Sequence, residues 1–374
     1  MRFSFFVPAL IGVSLLGCAS KSVQRLPDLL TPGSAALQRQ VETADARVRE
    51  TISLVRNVNE LARADGYVYT VDVAQLLTHA ALRRDSALYQ MLRSYAVAEL
   101  IQNSASDPYV RGFVAWRRKQ GSPLDASTTE GLRIAEGLWT GAEVFGDTAG
   151  RSLAVLIVRG YLRHAYEDQG TWLIRNNFNF QTRSFATNSF LVDYDPDFLA
   201  TVAEVTKDTA IATGARNSYQ LVERAITKAG LIHEMIQPEI LTVLPLLESP
   251  IFSPNDVVST LNSCTVAERV VRGRTDIARR VLRYFVKHDR ENAAYYYGRS
   301  GDAVRENDMS VAPLACLTRL AIKLGDRSAR DLFLPHLVDE VFRRLKVFGK
   351  MDLFASTEVL TAFNLALHPE ALPR

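Results

Sequence analysis

Three carboxylates stand out for what surrounds them. Asp72 lies among Val71, Val73, Ala74, Leu76 and Leu77, on an apolar helical face. A carboxyl buried there is expected to keep its proton above the usual range, as a general acid must. Asp256 follows Ser253-Pro254-Asn255, and Glu130 follows Thr128-Thr129; both positions also suit helix capping. A second group is aromatic: Trp116, Trp172, Phe178, Phe180, Phe190, Tyr194 and the triplet Tyr295-Tyr296-Tyr297. Ring faces of this kind stack on the apolar faces of sugars, although about half of them are expected in the core. Asn176-Asn177-Phe178-Asn179-Phe180-Gln181 mixes amides with rings, which suits a carbohydrate better than a core.

Other chemistries lack their residues. The six histidines show no paired spacing and no HExxH occurs, so no metal is expected. The phosphate-cradling GxGxxG and GxxxxGK[ST] motifs are missing, as is a GxSxG elbow, so no cofactor is expected. A net charge of +3 over 374 residues is too small for a nucleic-acid partner. Arg269 to Arg290 carries eight basic residues, read as a solvated helix face that could also attract an anionic polysaccharide or lipid head groups.

The elements that must position these residues are helical. From residue 35 to the end, apolar positions recur every three or four residues. The pattern predicts helices over 35–62, 70–84, 86–102, 129–145, 149–167, 196–206, 216–232, 255–272, 275–289, 310–324, 327–347 and 353–366, with no run of strand-like alternation. Several end in a short turn carrying an aspartate: Arg84-Asp85, Gly146-Asp147, Lys207-Asp208, Thr275-Asp276 and Gly325-Asp326. Stop and start signals of this kind, recurring about every sixty residues, fit antiparallel helix pairs joined by long loops. Five or six pairs can close into an all-α (α/α) toroid; an open helical solenoid is the alternative. The long loops, 103–128, 168–197, 237–255 and 287–308, would gather on one rim, where binding sites form.

The start of the chain reads as an address. Met1-Arg2 and a 14-residue, mostly apolar stretch are too short to span a bilayer and have the shape of a secretory leader. Leu15-Leu16-Gly17-Cys18 resembles the bacterial lipobox, whose cysteine is acylated and becomes the new N-terminus. Acyl chains on Cys18 would anchor the protein to a membrane, and Ala19 after it implies the outer membrane, facing the periplasm. The expected organisation is a signal peptide over 1–17, the lipidated Cys18 with a tether over 18–34, and one toroid domain over 35–374. In an oxidising compartment, Cys264 and Cys316 are either a disulfide or two buried thiols.

Phe113-Val114-Ala115-Trp116-Arg117-Arg118-Lys119 and Leu124-Asp125-Ala126-Ser127-Thr128-Thr129-Glu130-Gly131-Leu132-Arg133-Ile134-Ala135-Glu136-Gly137-Leu138 resemble glycoside hydrolase family 8. Asn188-Ser189-Phe190-Leu191, followed by Asp195-Pro196-Asp197-Phe198-Leu199, is similar to that family's cleft-lining segment. Asn255-Asp256-Val257-Val258 sits where the family opens a helix with Tyr-Asp-Ala. Order and rough intervals agree over about residues 65 to 345, but no motif is intact. Asp72 lacks the Ser-Glu-Gly context of the family's acid, Glu130 is the only carboxylate left in the Asp-rich turn, and Ser259 replaces an arginine.

The resemblance implies a six-hairpin (α/α)6 toroid. It also implies paired-carboxylate hydrolysis of a polysaccharide, with Asp72 as acid, Asp256 as base and Glu130 distorting the substrate. Trp116, Trp172, Asn188, Phe190, Tyr194 and Tyr296 would bind the glycan. Two other readings follow from the departures. One is a non-catalytic glycan-binding or assembly lipoprotein, with exopolysaccharide assembly or secretion partners. The other is a polysaccharide lyase using Tyr and His, although Asn176-Asn177 continues as Phe178-Asn179 without the expected His.

Overall fold

The computed structural model describes residues 35–53, 57–119, 123–168, 170–236, 252, 257–288, 296–298, 303–305, 311–349 and 351–368. Its helices in chain order are α1 (Ala35–Ser53), α2 (Thr70–Leu82), α3 (Ser86–Tyr95), α4 (Thr128–Phe145), α5 (Thr148–Leu162) and α6 (Pro196–Thr206). They continue with α7 (Thr209–Arg224), α8 (Thr260–Glu268), α9 (Thr275–His288), α10 (Val311–Lys323), α11 (Arg327–Phe348) and α12 (Leu353–Leu367). Inner helices pack side by side in the order α8, α10, α12, α2, α4, and the Leu191–Asp193 turn fills the gap between α4 and α8. Each outer helix packs on its inner partner, and α1 closes the ring against α11 and α12. The architecture is the closed all-α toroid, not the open solenoid.

The sequence explains this two-layer order. Inner helices are buried nearly all round: α10 is buried without a break from Val311 to Ala321. A helix of that kind has to lie inside. Outer helices bury one stripe only, as α7 does with Ile211, Gly214, Ala215, Ser218, Leu221 and Val222.

The aspartate rhythm marks the short turns from inner to outer helix. Asp85, Asp147, Asp208 and Asp326 are the N-caps of α3, α5, α7 and α11, each accepting a first-turn backbone N–H. Asp276 is different: it lies inside the first turn of α9 and pairs with Arg274. Before four of these turns the chain passes through left-handed backbone, at Arg84 (φ 57), Gly146 (φ 70), Lys207 (φ 55) and Gly325 (φ 64).

Several boundaries depart from the periodicity: α3 gives way to a π-turn over 96–100, α7 ends at Arg224 rather than 232, and α8 spans Thr260–Glu268 where the pattern predicts 255–272. The predicted 35–62 helix does not run through to its end, since Val58–Leu61 form a separate 3-10 turn, and α5 stops at Leu162, where 165–168 turns into a hairpin with 171–174. α7 begins at Thr209 rather than 216, because Ala210, Ala212, Gly214 and Ala215 carry too little apolar bulk to show a period. Short antiparallel strands are also present, against the expectation of none. Strand 177–179 pairs with 125–127 on one side and 184–185 on the other, 189–190 pairs with 235–236, and 296–298 pairs with 257–259 on one side and 303–305 on the other. At two to four residues each, they are too short to leave an alternating pattern. These ladders tie neighbouring loops together at the starts of the inner helices. The loop leading to α4 also lies flat on α5, because Gly112 (φ +90) meets Gly160 there: a Cβ on Gly160 would stand 2.4 Å from the Gly112 carbonyl oxygen.

Candidate functional site

The loop-bearing rim, at the N-terminal ends of the inner helices, gathers most of the candidate residues. Segment 113–118 is its backbone. The Thr70 hydroxyl at the start of α2 donates to the Ala115 carbonyl (2.5 Å), and the Ser127 N–H at the start of α4 donates to the Val114 carbonyl (3.0 Å). Trp116 is thereby seated on the rim, 38% exposed, with its ring edge-on to Tyr69 at 6.0 Å. The Arg117 guanidinium lies 4.1 Å from the Tyr67 ring and 4.5 Å from the Trp116 ring, and donates to the Tyr69 hydroxyl (3.1 Å). Lys119 stands 5.1 Å from the Tyr67 ring. Half-buried rings alternating with cations form a platform that can take sugar faces and hydroxyls together.

Asp72 is next to this platform, in the first turn of α2, and is 0% exposed. Arg63 holds it with both donors, Nε to Oδ2 at 2.9 Å and Nη2 to Oδ1 at 2.8 Å. Burial pushes the Asp72 carboxyl up and outweighs the pull of Arg63. Arg63 itself is 41% exposed and lies 4.2 Å over the Tyr69 ring, so it forms a lid between Asp72 and solvent. Sequence reasoning missed Arg63, because nothing in nine residues of turn signals that it folds back on Asp72.

Glu130 lies in the first turn of α4 and accepts from the Ser127 hydroxyl. Beside it is a carboxylate that the sequence reading passed over. Asp193 is buried and accepts from the hydroxyls of Thr128 (2.9 Å) and Thr129 (2.5 Å) and from the Phe190 N–H (3.0 Å). Burial pushes Asp193 up to about 6, and the charge of Glu130 adds to that rise. The signal was present: Asp193, Asp195 and Asp197 alternate across the start of a Pro-opened helix. The other two are structural. Asp195 caps α6 and pairs with Arg269 at 3.3 Å; Asp197 accepts from the N–H groups of Arg272 (2.8 Å) and Gly273 (3.0 Å).

The remaining predicted residues divide. Half-buried Asn188 and Phe190 stay on the rim: the Asn188 carbonyl accepts from the Asn176 N–H, and Phe190 pairs with Met235 across a short ladder. The Tyr296 backbone pairs with Ser259, the N-cap of α8. Tyr194 is fully buried, which corrects its reading as a stacking residue; its hydroxyl meets Ser189 (2.7 Å) and the Ile174 N–H (2.8 Å). Trp172 packs against Tyr194 and lines a shallow pocket with Asn217 and Arg224 of α7, on the flank of the molecule rather than beside Trp116. Phe178 is buried with Phe113, Val110 and Ala126. Asp256 and Cys18 lie outside the described residues.

Deeper in the toroid, the inner helices face one another with charge. Arg319 donates to both oxygens of Glu268 (3.1 and 2.9 Å) and reaches Glu358 (2.6 Å), and Lys323 stands 3.3 Å from Glu268. Burial opposes ionisation of Glu268, yet Arg319 and Lys323 prevail and hold it down to about 2. Cys264 and Cys316 are buried free thiols, and the Cys316 thiol donates to Glu268 (3.1 Å).

No family profile matches the chain. No curated protein matches it either. Solved structures do. The chain is similar to a novel alpha-amylase from Clostridium perfringens, at 14% identity over 86% of this chain and 97% of that one, with a TM-score of 0.69. It is similar to the beta-1,3-1,4-glucanase of Paenibacillus sp. X4, at 13% identity over 91% and 93% of the two chains and a TM-score of 0.64. The endo-beta-1,4-glucanase CMCax of Acetobacter xylinum gives 14% identity, 89% and 99% coverage and a TM-score of 0.63. The fold is therefore the (α/α)6 toroid shared with these structures.

Proposed function

We propose that this protein is an outer-membrane-anchored lipoprotein that holds a polysaccharide, an exopolysaccharide or a wall glycan, along the loop-bearing rim. The observation that carries this reading is the platform of Trp116, Tyr69, Tyr67 and Arg117. It lies directly beside a buried carboxyl, on a fold shared with glucanases. Cleavage would use Asp72 as the acid and Asp256 as the base, with Glu130 at the α4 end of the same rim. For that, Arg63 has to release Asp72 when the glycan settles on the platform. Binding without cleavage is the second reading, and one observation favours it: both Asp72 oxygens are already taken by Arg63.

The test is to incubate the chain with β-glucans and bacterial exopolysaccharides and follow reducing ends. Loss of product in both Asp72→Asn and Asp256→Asn supports the hydrolytic roles; product that survives both removes them. Glycan binding without product, lost in Trp116→Ala, establishes the second reading. Acylation at Cys18 is checked separately, by the mass of the mature N-terminus and by release from membranes in Cys18→Ser.

A further inference from the structure

Below the rim, the toroid axis holds a half-open cavity of about 170 Å³. Its wall reaches Leu82, Lys323 and Leu365, in the last turns of α2, α10 and α12. It therefore lies toward the short-turn face, away from Asp72 and Glu130 in the first turns. It has room for a small organic molecule rather than for a single water.

Most of the charge on this wall is spent on itself: Glu268 and Glu358 are held by Arg319, and Lys323 by Glu268. Two groups are left over, both on α4. Arg133 is 18% exposed on its side chain; its Nε is buried without a partner, and its ion pair is a loose 3.6 Å to Glu358. Glu136 lines the same cavity and makes no side-chain hydrogen bond or close ion pair among the described residues, although its charge helps to hold the Lys323 ammonium protonated from across the cavity. Opposite charges three residues apart on a helix normally pair, yet these two do not. A desolvated guanidinium with idle donors is costly unless something accepts from them.

Three threonines narrow the chemistry. The hydroxyls of Thr78, Thr140 and Thr361 each donate back to a carbonyl of their own helix, Ala74 (3.2 Å), Glu136 (2.9 Å) and Thr357 (2.9 Å). Their protons are engaged, so what they offer the cavity is acceptor lone pairs. The wall thus presents a loosely paired guanidinium with an unused donor, a carboxylate with no hydrogen bond among the described residues, and a set of neutral acceptors.

We propose that the axial cavity is a binding site for a small zwitterion of the amino-acid type, with its carboxylate on Arg133 and its ammonium on Glu136 and the threonine oxygens. The site is separate from the rim and does not depend on how the rim is read. Calorimetric titration of the purified chain with L-alanine and D-alanine tests it, with acetate and ethylamine as probes carrying one charge each. At least one alanine enantiomer binds at a single site, and each single-charge probe binds at least tenfold more weakly. Because Glu136 makes no hydrogen bond or close ion pair among the described residues, and Lys323 keeps Glu268, Glu136→Gln keeps the cooperative melt and loses tenfold or more in alanine affinity; Arg133→Gln loses a similar factor. The proposal is overturned by a cooperatively folded chain that takes up neither enantiomer, by acetate or ethylamine binding as tightly as alanine, or by Glu136→Gln with unchanged affinity.

Discussion

Asp193 on the rim and Glu268 on the axis are both buried carboxylates, and they titrate in opposite directions. Burial penalises the charged form of each. Asp193 meets only hydroxyls and one N–H, so burial prevails and its pKa rises to about 6. Glu268 meets Arg319 and Lys323, and its pKa falls to about 2. Depth alone does not set protonation; the nature of the donors does. The rim keeps a carboxyl able to carry a proton near neutral pH, whereas the axis keeps one that stays ionised well into acid.

The contrast breaks most easily at Arg319. Arg319→Gln leaves Glu268 and Glu358 buried with their main cation gone, and is expected to cost about 3–5 kcal/mol, read as a large drop in the denaturant midpoint. Asp193→Asn sharpens the comparison from the other side. With a folded pKa above its unfolded value, Asp193 adds stability below about pH 4 and loses it as pH rises through about 6, by about 3 kcal/mol at full span. Stability measured between pH 4 and 7 should therefore decline more in the wild type than in Asp193→Asn. Equal slopes would mean that Asp193 ionises normally. Glu268 has the reverse sign: its contribution is present above its unfolded pKa and is lost as pH falls through about 2.

The smallest effect calibrates the scale away from both regions. Lys207 is exposed and left-handed at the end of α6, where glycine carries no Cβ penalty. Lys207→Gly should raise stability by about 1 kcal/mol. A fall in the melting temperature would show that the turn tolerates its lysine without strain.

What could be read in advance follows the length scale of each signal. Helix faces repeat over many residues, so all twelve predicted segments overlap a helix, and Asp85, Asp147, Asp208 and Asp326 announced their turns. The hairpins could not be read, because two to four residues cannot show a period. Glu130 and Asp72 were visible from their neighbours in sequence. Their partners were not: Arg63 folds back through a turn, and Asp193 meets Thr128 and Thr129 from more than sixty positions away. Tyr194 was misjudged for the same reason, since its polar neighbours in sequence are not its neighbours in space.

The closure of the ring by α1 against α12 has a kinetic consequence. The first described helix packs on the last one, so that seam joins residues some three hundred positions apart. Contacts of such separation form late, after the loop entropy between them has been overcome. Until then α12 leaves a flank uncovered on an otherwise folded arc, and a ribosome or translocation channel still holding the last helix would hold the ring open.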